Sequence, residues 1–280
     1  MRYKKMNRRR LVLLIFLAAA IIFSFCGCAA TEKPTEDPIP ANSYAADAFY
    51  MENGFLHYEN QDCKVGIDVS VYQGIIDWQA VAEAGVEFAI IRAGYRGSTV
   101  GDLYEDEQFS YNLAEAKKAG IQVGIYFFSQ ARTPEEAKEE AAYACRLLHG
   151  ASLDLPVYYD WEFNEGRIAS AAEVPLTQCT TAFCEEVRSH EYEAGVYFNQ
   201  DYAYHYLDLL ALQDYHLWLA EYGETPTFRY HFDCLQYSDD GTVPGIEAPV
   251  DLDLLFIKEV TEAPTEEPTE EPTEEEKSPA

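Results

Sequence analysis

Short runs of β-branched and aromatic residues alternate along the chain with longer stretches in which apolar residues recur every three or four positions. The short runs predict buried strands, and the longer stretches predict amphipathic helices. The predicted strands span residues 65–69, 88–92, 123–128, 157–160, 194–198, 216–220, 234–237 and 251–256. The predicted helices follow the first five of these strands, at residues 77–84, 109–119, 134–148, 177–190 and 201–209.

Strands that alternate with helices predict a parallel sheet with covered faces. Eight strands within about 200 residues predict a closed, TIM-like β/α barrel with about five outer helices. The last three strands are expected to lack helices of their own. A doubly wound open sheet is the alternative. It is disfavoured because the segment GYRG at 94–97 does not match the glycine-rich loop of dinucleotide-binding folds.

The start of the chain differs from its middle. Residues 1–30 contain six basic residues and no acidic one, and the triplet RRR at 8–10 precedes an apolar run over 11–30. This pattern predicts an export signal. The segment either stays as a membrane-anchoring helix or is cleaved before Cys28, with lipid on that thiol. We expect the protein on the bacterial cell surface, outside the cytoplasm, with a freely secreted form as the lesser alternative.

The domain organisation follows from these changes in composition. Residues 1–30 are expected to be the signal peptide or anchor, 31–62 a polar linker and 63–260 the barrel. Residues 261–280 repeat TEEP and contain eight Glu, so they predict a disordered acidic tail. We expect a monomer.

Acidic residues dominate the composition. The chain has 49 Asp and Glu against 20 Lys and Arg, and residues 61–260 alone have 35 acidic and 12 basic residues, a net charge of −23. This excess argues against nucleic acid as a partner, because a phosphate backbone requires a basic surface. The five Cys and the His of the body lack metal-ligand spacing, so no metal or other cofactor is expected. The Cys are expected to be small buried apolar residues, with one disulfide left open.

Carboxylates cluster near the ends of three predicted strands. Asp68 ends the first strand, Asp160 and Glu162 end the fourth, and Asp251 lies in the last. Residues two apart on a strand point to the same side, so Asp160 and Glu162 are expected to repel each other, and one of them should keep its proton. A protonated acid beside an ionised one is the arrangement that glycoside cleavage uses. The alternative is that these acids are solvated or cap turns.

Eight segments of the body resemble glycoside hydrolase family 25, the lysozymes or N-acetylmuramidases, and they occur in family order. They are GIDVSVYQGIIDW (66–78), FAIIRAGY (88–95), AGIQVGIYFFSQA (119–131), YYDWE (158–162), AGVYFN (194–199), LWLAEY (217–222), LQYSDDGTVPGI (235–246) and VDLDL (250–254). The resemblance implies a TIM-like barrel. It also implies hydrolysis of the β-1,4 bond between N-acetylmuramic acid and N-acetylglucosamine in peptidoglycan.

The same resemblance implies catalytic roles for four residues. Glu162 would be the general acid with Asp160 beside it, and Asp68 and Asp251 would complete an acidic floor. Asp160 is expected to orient the 2-acetamido group of the substrate, whose carbonyl oxygen then attacks the anomeric carbon. The alternative is an inverting reaction in which Asp68 or Asp251 activates water.

Further residues near strand ends are candidates for binding sugar, because aromatic rings stack on sugar faces and polar groups bind hydroxyls. Packing inside the barrel is the alternative for each ring. Arg92 is expected either to pair with an acid or to meet the lactyl carboxylate of muramic acid. Asp253 stands where the family often has Asn and adds an acid. The candidates are Tyr72, Arg92, Tyr126, Tyr197, Trp218, Gln236, Tyr237 and Asp253.

Two other functions remain as alternatives. One is a catalytically weak module that binds the cell wall through the same barrel, and the other is a surface scaffold in which the barrel is only a spacer. The first alternative predicts that a catalytic acid is missing, whereas all four candidate acids are present. An exported lysozyme is therefore the leading hypothesis.

Overall fold

A computed structural model describes residues 37–257, and the residues from Ile39 onward form one unit. Its strands are β1 (Phe49–Glu52), β2 (Phe55–Tyr58), β3 (Cys63–Val69), β4 (Phe88–Arg96), β5 (Leu103–Glu105), β6 (Gln122–Ser129), β7 (Val157–Trp161), β8 (Ala194–Asn199), β9 (His216–Ala220), β10 (Cys234–Gly241) and β11 (Val250–Phe256). Its α-helices are α1 (Trp78–Glu83), α2 (Phe109–Lys118), α3 (Pro134–Leu147), α4 (Leu176–Ser189), α5 (Gln200–His205) and α6 (Leu209–Leu212).

Eight strands close into a barrel in the order β3, β4, β6, β7, β8, β9, β10 and β11, and β11 pairs with β3 to complete the ring. The predicted barrel is therefore confirmed, including the absence of α-helices between its last three strands. The predicted helix over 201–209 is divided into the short helices α5 and α6.

One feature of the barrel differs from the expected parallel sheet. The strands from β3 to β10 are parallel to their barrel neighbours, but β11 is antiparallel to both β10 and β3. The connection from β10 to β11 spans only residues 242–249 and has no helix. A parallel return needs a crossover of a dozen residues or more. Asp251 therefore reaches the mouth of the barrel from the beginning of its strand, whereas Asp68 reaches it from the end.

Two of the outer helices, α1 and α3, begin at residues whose side chains accept hydrogen bonds from free backbone amides. Asp77 accepts a hydrogen bond from the amide of Ala80 at the start of α1, at 3.2 Å. Thr133 caps α3 and is followed by Pro134 at the first helical position. The buried faces of these helices pack on the outside of the barrel in one large apolar core.

A second, smaller core fills the inside of the barrel. Phe88, Tyr158 and Trp218 are almost completely buried there, together with Ile90 and Leu255. Glycines face the largest rings. A Cβ atom at Gly66 would lie 2.3 Å from the ring of Phe88, and a Cβ atom at Gly195 would lie 2.3 Å from the ring of Tyr158. The lower part of the barrel is thus solid, and open space is confined to its mouth.

The predicted polar linker over 31–62 is wrong for its described part. Strands β1 and β2 form a hairpin around Asn53 and Gly54, which both have positive φ angles. Phe55, Leu56 and Tyr58 of this hairpin are buried in the outer core. The signal was present in the sequence, since Asn-Gly between apolar strands is typical of a two-residue hairpin turn.

Several predictions concern residues outside the described range, namely the export segment with Cys28 at 1–30 and the acidic tail at 261–280. Between residues 37 and 257, no helix is both long enough and apolar enough to cross a lipid bilayer. The five cysteines of this range are free thiols, and four of them are buried: Cys145, Cys179, Cys184 and Cys234.

Candidate functional site

A cavity of about 210 Å³ opens at the mouth of the barrel, above the packed interior. Asp68, Asp160, Glu162 and Asp251 all line it. They come from β3, from β7 and the position just after it, and from β11. Carboxylates from distant parts of the sequence thus converge on one concave surface.

Asp160 and Glu162 form the first carboxyl pair of the cavity, and the two side chains are in hydrogen-bonding contact. Oδ1 of Asp160 is buried, and within residues 37–257 no amide or hydroxyl donates to it. Burial and the neighbouring charge of Glu162 raise the pKa of Asp160 well above its ordinary value. Burial and the charge of Asp251 raise the pKa of Glu162. Both shifts favour the protonated form of a carboxyl group in this pair.

The backbone around Glu162 is fixed by two side chains from other elements. The buried amide of Gln130 donates from Nε2 to the carbonyl oxygen of Glu162, at 2.8 Å. The hydroxyl of Tyr202 accepts a hydrogen bond from the amide of Phe163, also at 2.8 Å. Glu162 thus lies just beyond the end of β7 and is still held in place on both sides.

Asp68 and Asp251 form the second carboxyl pair. They face each other in the register of β3 and β11 and are in hydrogen-bonding contact. Nε2 of Gln236 donates to Oδ2 of Asp68 at 2.7 Å, and Oε1 of Gln236 accepts from the hydroxyl of Tyr197 at 2.9 Å. Burial, followed by the charges of Asp251 and Asp253, raises the pKa of Asp68 well above its ordinary value. Burial raises the pKa of Asp251 to about 6.

Asp253 lies below this floor and does not line the cavity. It is completely buried, and its Oδ1 accepts a hydrogen bond from Nε1 of Trp218 at 2.8 Å. Burial and the charge of Asp251 raise the pKa of Asp253 well above its ordinary value. The predicted role of Asp253 in contacting substrate is therefore wrong, because the residues above it separate it from the open space.

Tyr237 is the second predicted binding residue that the structure places elsewhere. Its side chain is buried in the outer core, where its hydroxyl accepts a hydrogen bond from the amide of Leu56 at 3.1 Å. Neighbouring residues on a strand point to opposite faces, so Gln236 faces the cavity and Tyr237 faces away. The other predicted binding residues line the cavity: Tyr72, Arg92, Tyr126, Tyr197, Trp218 and Gln236.

Arg92 is the one basic residue that lines this cavity within the described part of the chain. Its Nε lies 2.7 Å from Oδ2 of Asp106, whose side chain is fully buried. This ion pair is one of the two alternatives predicted for Arg92. The guanidinium group also lies over the ring of Tyr72, 4.9 Å from its centroid. Arg92 is therefore fixed at the wall of the cavity.

Some residues of the site were not predicted from the sequence. Tyr222 lines the cavity, is 56% exposed and donates to Oε1 of Gln236 at 3.4 Å. It lies two residues beyond the end of β9, so extending the alternation of that strand would have identified it. Ser70 also lines the cavity and caps the short 3₁₀ helix Val71–Gln73.

The family model described as glycosyl hydrolases family 25 matches residues 67–246, more than half of the chain. The chain belongs to glycosyl hydrolases family 25. The matched range includes every barrel strand from β4 to β10 and the last three residues of β3. The resemblance inferred from the motifs is thereby confirmed.

Two curated lysozymes are similar in sequence to this chain. The chain is 32% identical over 191 residues to the autolytic lysozyme of Clostridium acetobutylicum, covering 67% of this chain and 54% of that protein. It is 46% identical over 102 residues to lysozyme M1 of Streptomyces globisporus, covering 35% of this chain and 33% of that protein. The chain thus spans about half of the length of the first relative and a third of the second.

A solved structure supports the family 25 fold independently. The bacterial lysozyme from Streptomyces coelicolor superposes with a TM-score of 0.56 at 27% sequence identity. The superposition covers 68% of this chain and 90% of that structure. The shared part is therefore almost the whole of that lysozyme.

Proposed function

We propose that this chain is a lysozyme that hydrolyses the β-1,4 bond between N-acetylmuramic acid and N-acetylglucosamine in peptidoglycan. The observation that carries the proposal is the contact between Asp160 and Glu162 inside an open, acid-lined cavity. Family 25 membership and the lysozyme relatives agree with it. A buried carboxyl pair that shares a proton provides both an acid and a base at one place.

Glu162 is the proposed general acid. Of the pair, it is the less deeply buried, since Asp160 is only 5% exposed. An acetamido N–H of bound substrate that donates to Asp160 favours the ionised form of that carboxyl. The shared proton then stays on Glu162, where it is available to the oxygen of the glycosidic bond. Substrate binding itself thus assigns the proton to the correct residue.

The acetamido group serves as the proposed nucleophile. Held by Asp160, its carbonyl oxygen attacks the anomeric carbon as the glycosidic bond breaks, and a cyclic intermediate forms that water later opens. The positive charge that develops on the sugar lies above Asp68 and Asp251, and their negative charge stabilises it. Gln236 keeps Asp68 in place through its 2.7 Å hydrogen bond.

The place of action is also part of the proposal. The basic and apolar segment at 1–30 supports export and attachment to the cell surface, by a helix or by lipid on Cys28. An attached enzyme stays close to the wall, which raises its effective concentration there. Such confinement suits an acidic protein, since it gains no long-range attraction from an anionic wall.

The proposal is tested by digesting purified peptidoglycan with the full-length chain and identifying the new reducing ends by mass spectrometry. We expect N-acetylmuramic acid at those ends. Glu162→Gln should lower the rate by about a hundredfold or more, whereas the matched variant Glu52→Gln, in the exposed strand β1, should leave it unchanged. Equal rates for wild type and Glu162→Gln, or no digestion by the wild type, would support the wall-binding or scaffold alternatives instead.

The stereochemical course separates the two mechanisms. Nuclear magnetic resonance of the first product formed should show the β anomer, the configuration of the bond that was cut. Glycan strands whose muramic residues lack the N-acetyl group should resist cleavage, because they lack the proposed nucleophile. An α anomer as the first product would favour activation of water by Asp68 or Asp251.

A further inference from the structure

A second and larger cavity adjoins the catalytic one. It has a volume of about 720 Å³ and shares Tyr72, Arg92 and Phe128 with the 210 Å³ cavity. Its outer walls come from the turn after β4, with Ser98 and Thr99, and from the segment after β7, with Asn164. We call this cavity the side arm. None of the four catalytic acids lines it, so the proposed reaction does not account for it.

Arg92 stands at the junction of the two cavities in a fixed position. Its guanidinium group contacts the rings of Tyr72 and Tyr95, at 4.9 and 5.5 Å from their centroids. Its Nε is bound to Asp106, which also accepts a hydrogen bond from the amide of Val71. The described residues provide no acceptor for its two terminal Nη groups. A rigid guanidinium edge is therefore available to a carbonyl or carboxylate of a ligand.

The chemistry of muramic acid connects the two cavities. Its acetamido group is on C2 of the sugar ring, and its lactyl ether is on the neighbouring carbon C3. A ring that places its acetamido group against Asp160 must therefore place its lactyl group nearby. Asp160 and Arg92 line the same small cavity, so the lactyl carbonyl comes within reach of the guanidinium edge.

We propose that the side arm binds the lactyl group and the first stem-peptide residues of the muramic acid unit whose bond is cut, with Arg92 donating to the lactyl carbonyl oxygen. This inference rests on the proposed function. The walls provide polar groups suited to a peptide, in Ser98, Thr99 and Asn164. On a strand without peptide, the same arginine would bind the free lactyl carboxylate.

The side arm is held open by the protein itself. The amide of Arg167 donates to the carbonyl oxygen of Ser98 at 2.7 Å, which joins the two wall segments. The guanidinium group of the same residue bonds Glu136 on α3 and the carbonyl oxygen of Gln130. Because the cavity is preformed, binding of a ligand requires less ordering of the loops, and the unfavourable contribution of that ordering to the binding free energy is smaller.

The test blocks the side arm without touching the catalytic acids. Thr99 is exposed and lines the arm, whereas its exposed neighbour Val100 does not. Thr99→Trp therefore fills the arm, and Val100→Trp adds the same bulk to the same turn outside it. Two soluble substrates are compared, uncrosslinked glycan strands with stem peptides and the same strands after an amidase has removed the peptides.

We expect Thr99→Trp to lower kcat/KM on the peptide-bearing strands by about tenfold, the effect of losing one good anchor. Its activity on the stripped strands should stay within about twofold of wild type, since the lactyl group alone needs little of the arm. Val100→Trp should match wild type on both substrates. Equal losses on both substrates, or no loss on either, would overturn the proposal.

The role of Arg92 is tested with variants that also take account of its ion-pair partner, Asp106. Arg92→Met leaves Asp106 buried without a cation, so the double variant with Asp106→Asn removes the charge as well. We expect a higher KM for the stripped strands, whose lactyl carboxylate is ionised, and partial recovery in Arg92→Lys. An unchanged KM would contradict the role of Arg92.

Equilibrium binding of a disaccharide peptide, measured by calorimetry with the inactive variant Glu162→Gln, separates the two proposals. Weaker binding after the added change Thr99→Trp, but not after Val100→Trp, supports the side arm even if the wild type fails to cleave. Loss of cleavage in the wild type concerns the hydrolase proposal alone.

Discussion

Buried carboxylates occur in two neighbouring regions of this barrel, and the two regions treat them differently. In α3, Glu140 is completely buried, and its Oε1 lies 2.6 Å from Nε of Arg96. Its Oε2 accepts a hydrogen bond from the hydroxyl of Ser129 at 2.6 Å. At the mouth, by contrast, Asp160 contacts Glu162 and Asp68 contacts Asp251, so carboxyl groups face each other.

The difference separates a structural use of buried charge from a chemical one. Burial raises the pKa of Glu140 to about 7, although Ser129 and Arg96 act in the opposite direction. Each of its oxygens has a donor, so the group joins α3 to β4 and β6. Each acid at the mouth faces another acid instead of a cation, and burial together with neighbouring negative charge raises the pKa values of Asp68, Asp160 and Glu162. Strongly shifted carboxyls in a cleft are typical of catalytic sites.

Gln130 connects the two regions. Its backbone amide donates to Oε1 of Glu140 at 3.4 Å, and its side-chain amide donates to the carbonyl oxygen of Glu162 at 2.8 Å. The ion-paired region thus serves as a rigid support for the proposed general acid.

The largest expected effect comes from breaking the ion-paired region. Glu140→Ala leaves the buried guanidinium of Arg96 without its main partner, and we expect the free energy of unfolding to fall by about 3–5 kcal/mol. Urea denaturation at pH 8 measures it. Glu139→Ala is the matched control, because Glu139 also pairs with Arg96 but is 61% exposed. That control should lose less than about 1 kcal/mol, and equal losses would contradict the comparison.

A smaller effect is expected at the connection between the regions. Gln130→Met keeps the volume of the side chain but removes the hydrogen bond to Glu162, so the acid is less well positioned. We expect kcat on peptidoglycan to fall by about tenfold while KM changes by less than about twofold. Gln79→Met, at an exposed residue of α1, should change neither value. An unchanged kcat in Gln130→Met would show that Glu162 is held by other contacts.

The smallest expected effect concerns Asp251 at the mouth and the pH dependence of stability that it causes. The pKa of Asp251 is raised to about 6 from an ordinary value of 3.8. The folded state therefore keeps a proton that the unfolded state loses, and stability should fall as pH rises from about 4 to 6. Asp251→Asn should reduce this slope and gain on the order of 1 kcal/mol at pH 7. Thermal unfolding across this pH range measures it.

The exposed residue Asp62 provides a matched control for that measurement. Asp62→Asn should keep the slope of the wild type. If Asp251→Asn and wild type gave parallel curves, the raised pKa assigned to Asp251 would be contradicted.

Much of the barrel was predictable because its periodic patterns are strong. The facing position of Asp160 and Glu162 follows from their spacing of two on one strand. The approach of Asp68 follows from the shared edge of parallel strands. These two inferences depend only on local geometry and on the fold class, which the sequence determines well.

Other features depend on information that a short sequence pattern lacks. The direction of β11 depends on the helix-free connection before it. The apolar pattern of the strand itself does not show whether it is parallel or antiparallel to its neighbours. Gln236 and Tyr237 are adjacent, and only the register of β10 with its neighbours decides which one faces the cavity. Tyr222 lies two residues beyond the end of β9, so the side of its ring is predicted only if the alternation of that strand is extended past its last residue.

The antiparallel direction of β11 also determines where the chain leaves the barrel. Phe256 pairs with Cys63, and the amide of Ile257 donates to the carbonyl oxygen of Asp62 at 2.9 Å. Near the other terminus, Ala41 bridges to Tyr230 just before β10 begins. Both exits are thus on the face opposite the mouth. A membrane tether attached at either exit would therefore lie on the side away from the mouth, and the mouth would stay accessible to glycan strands.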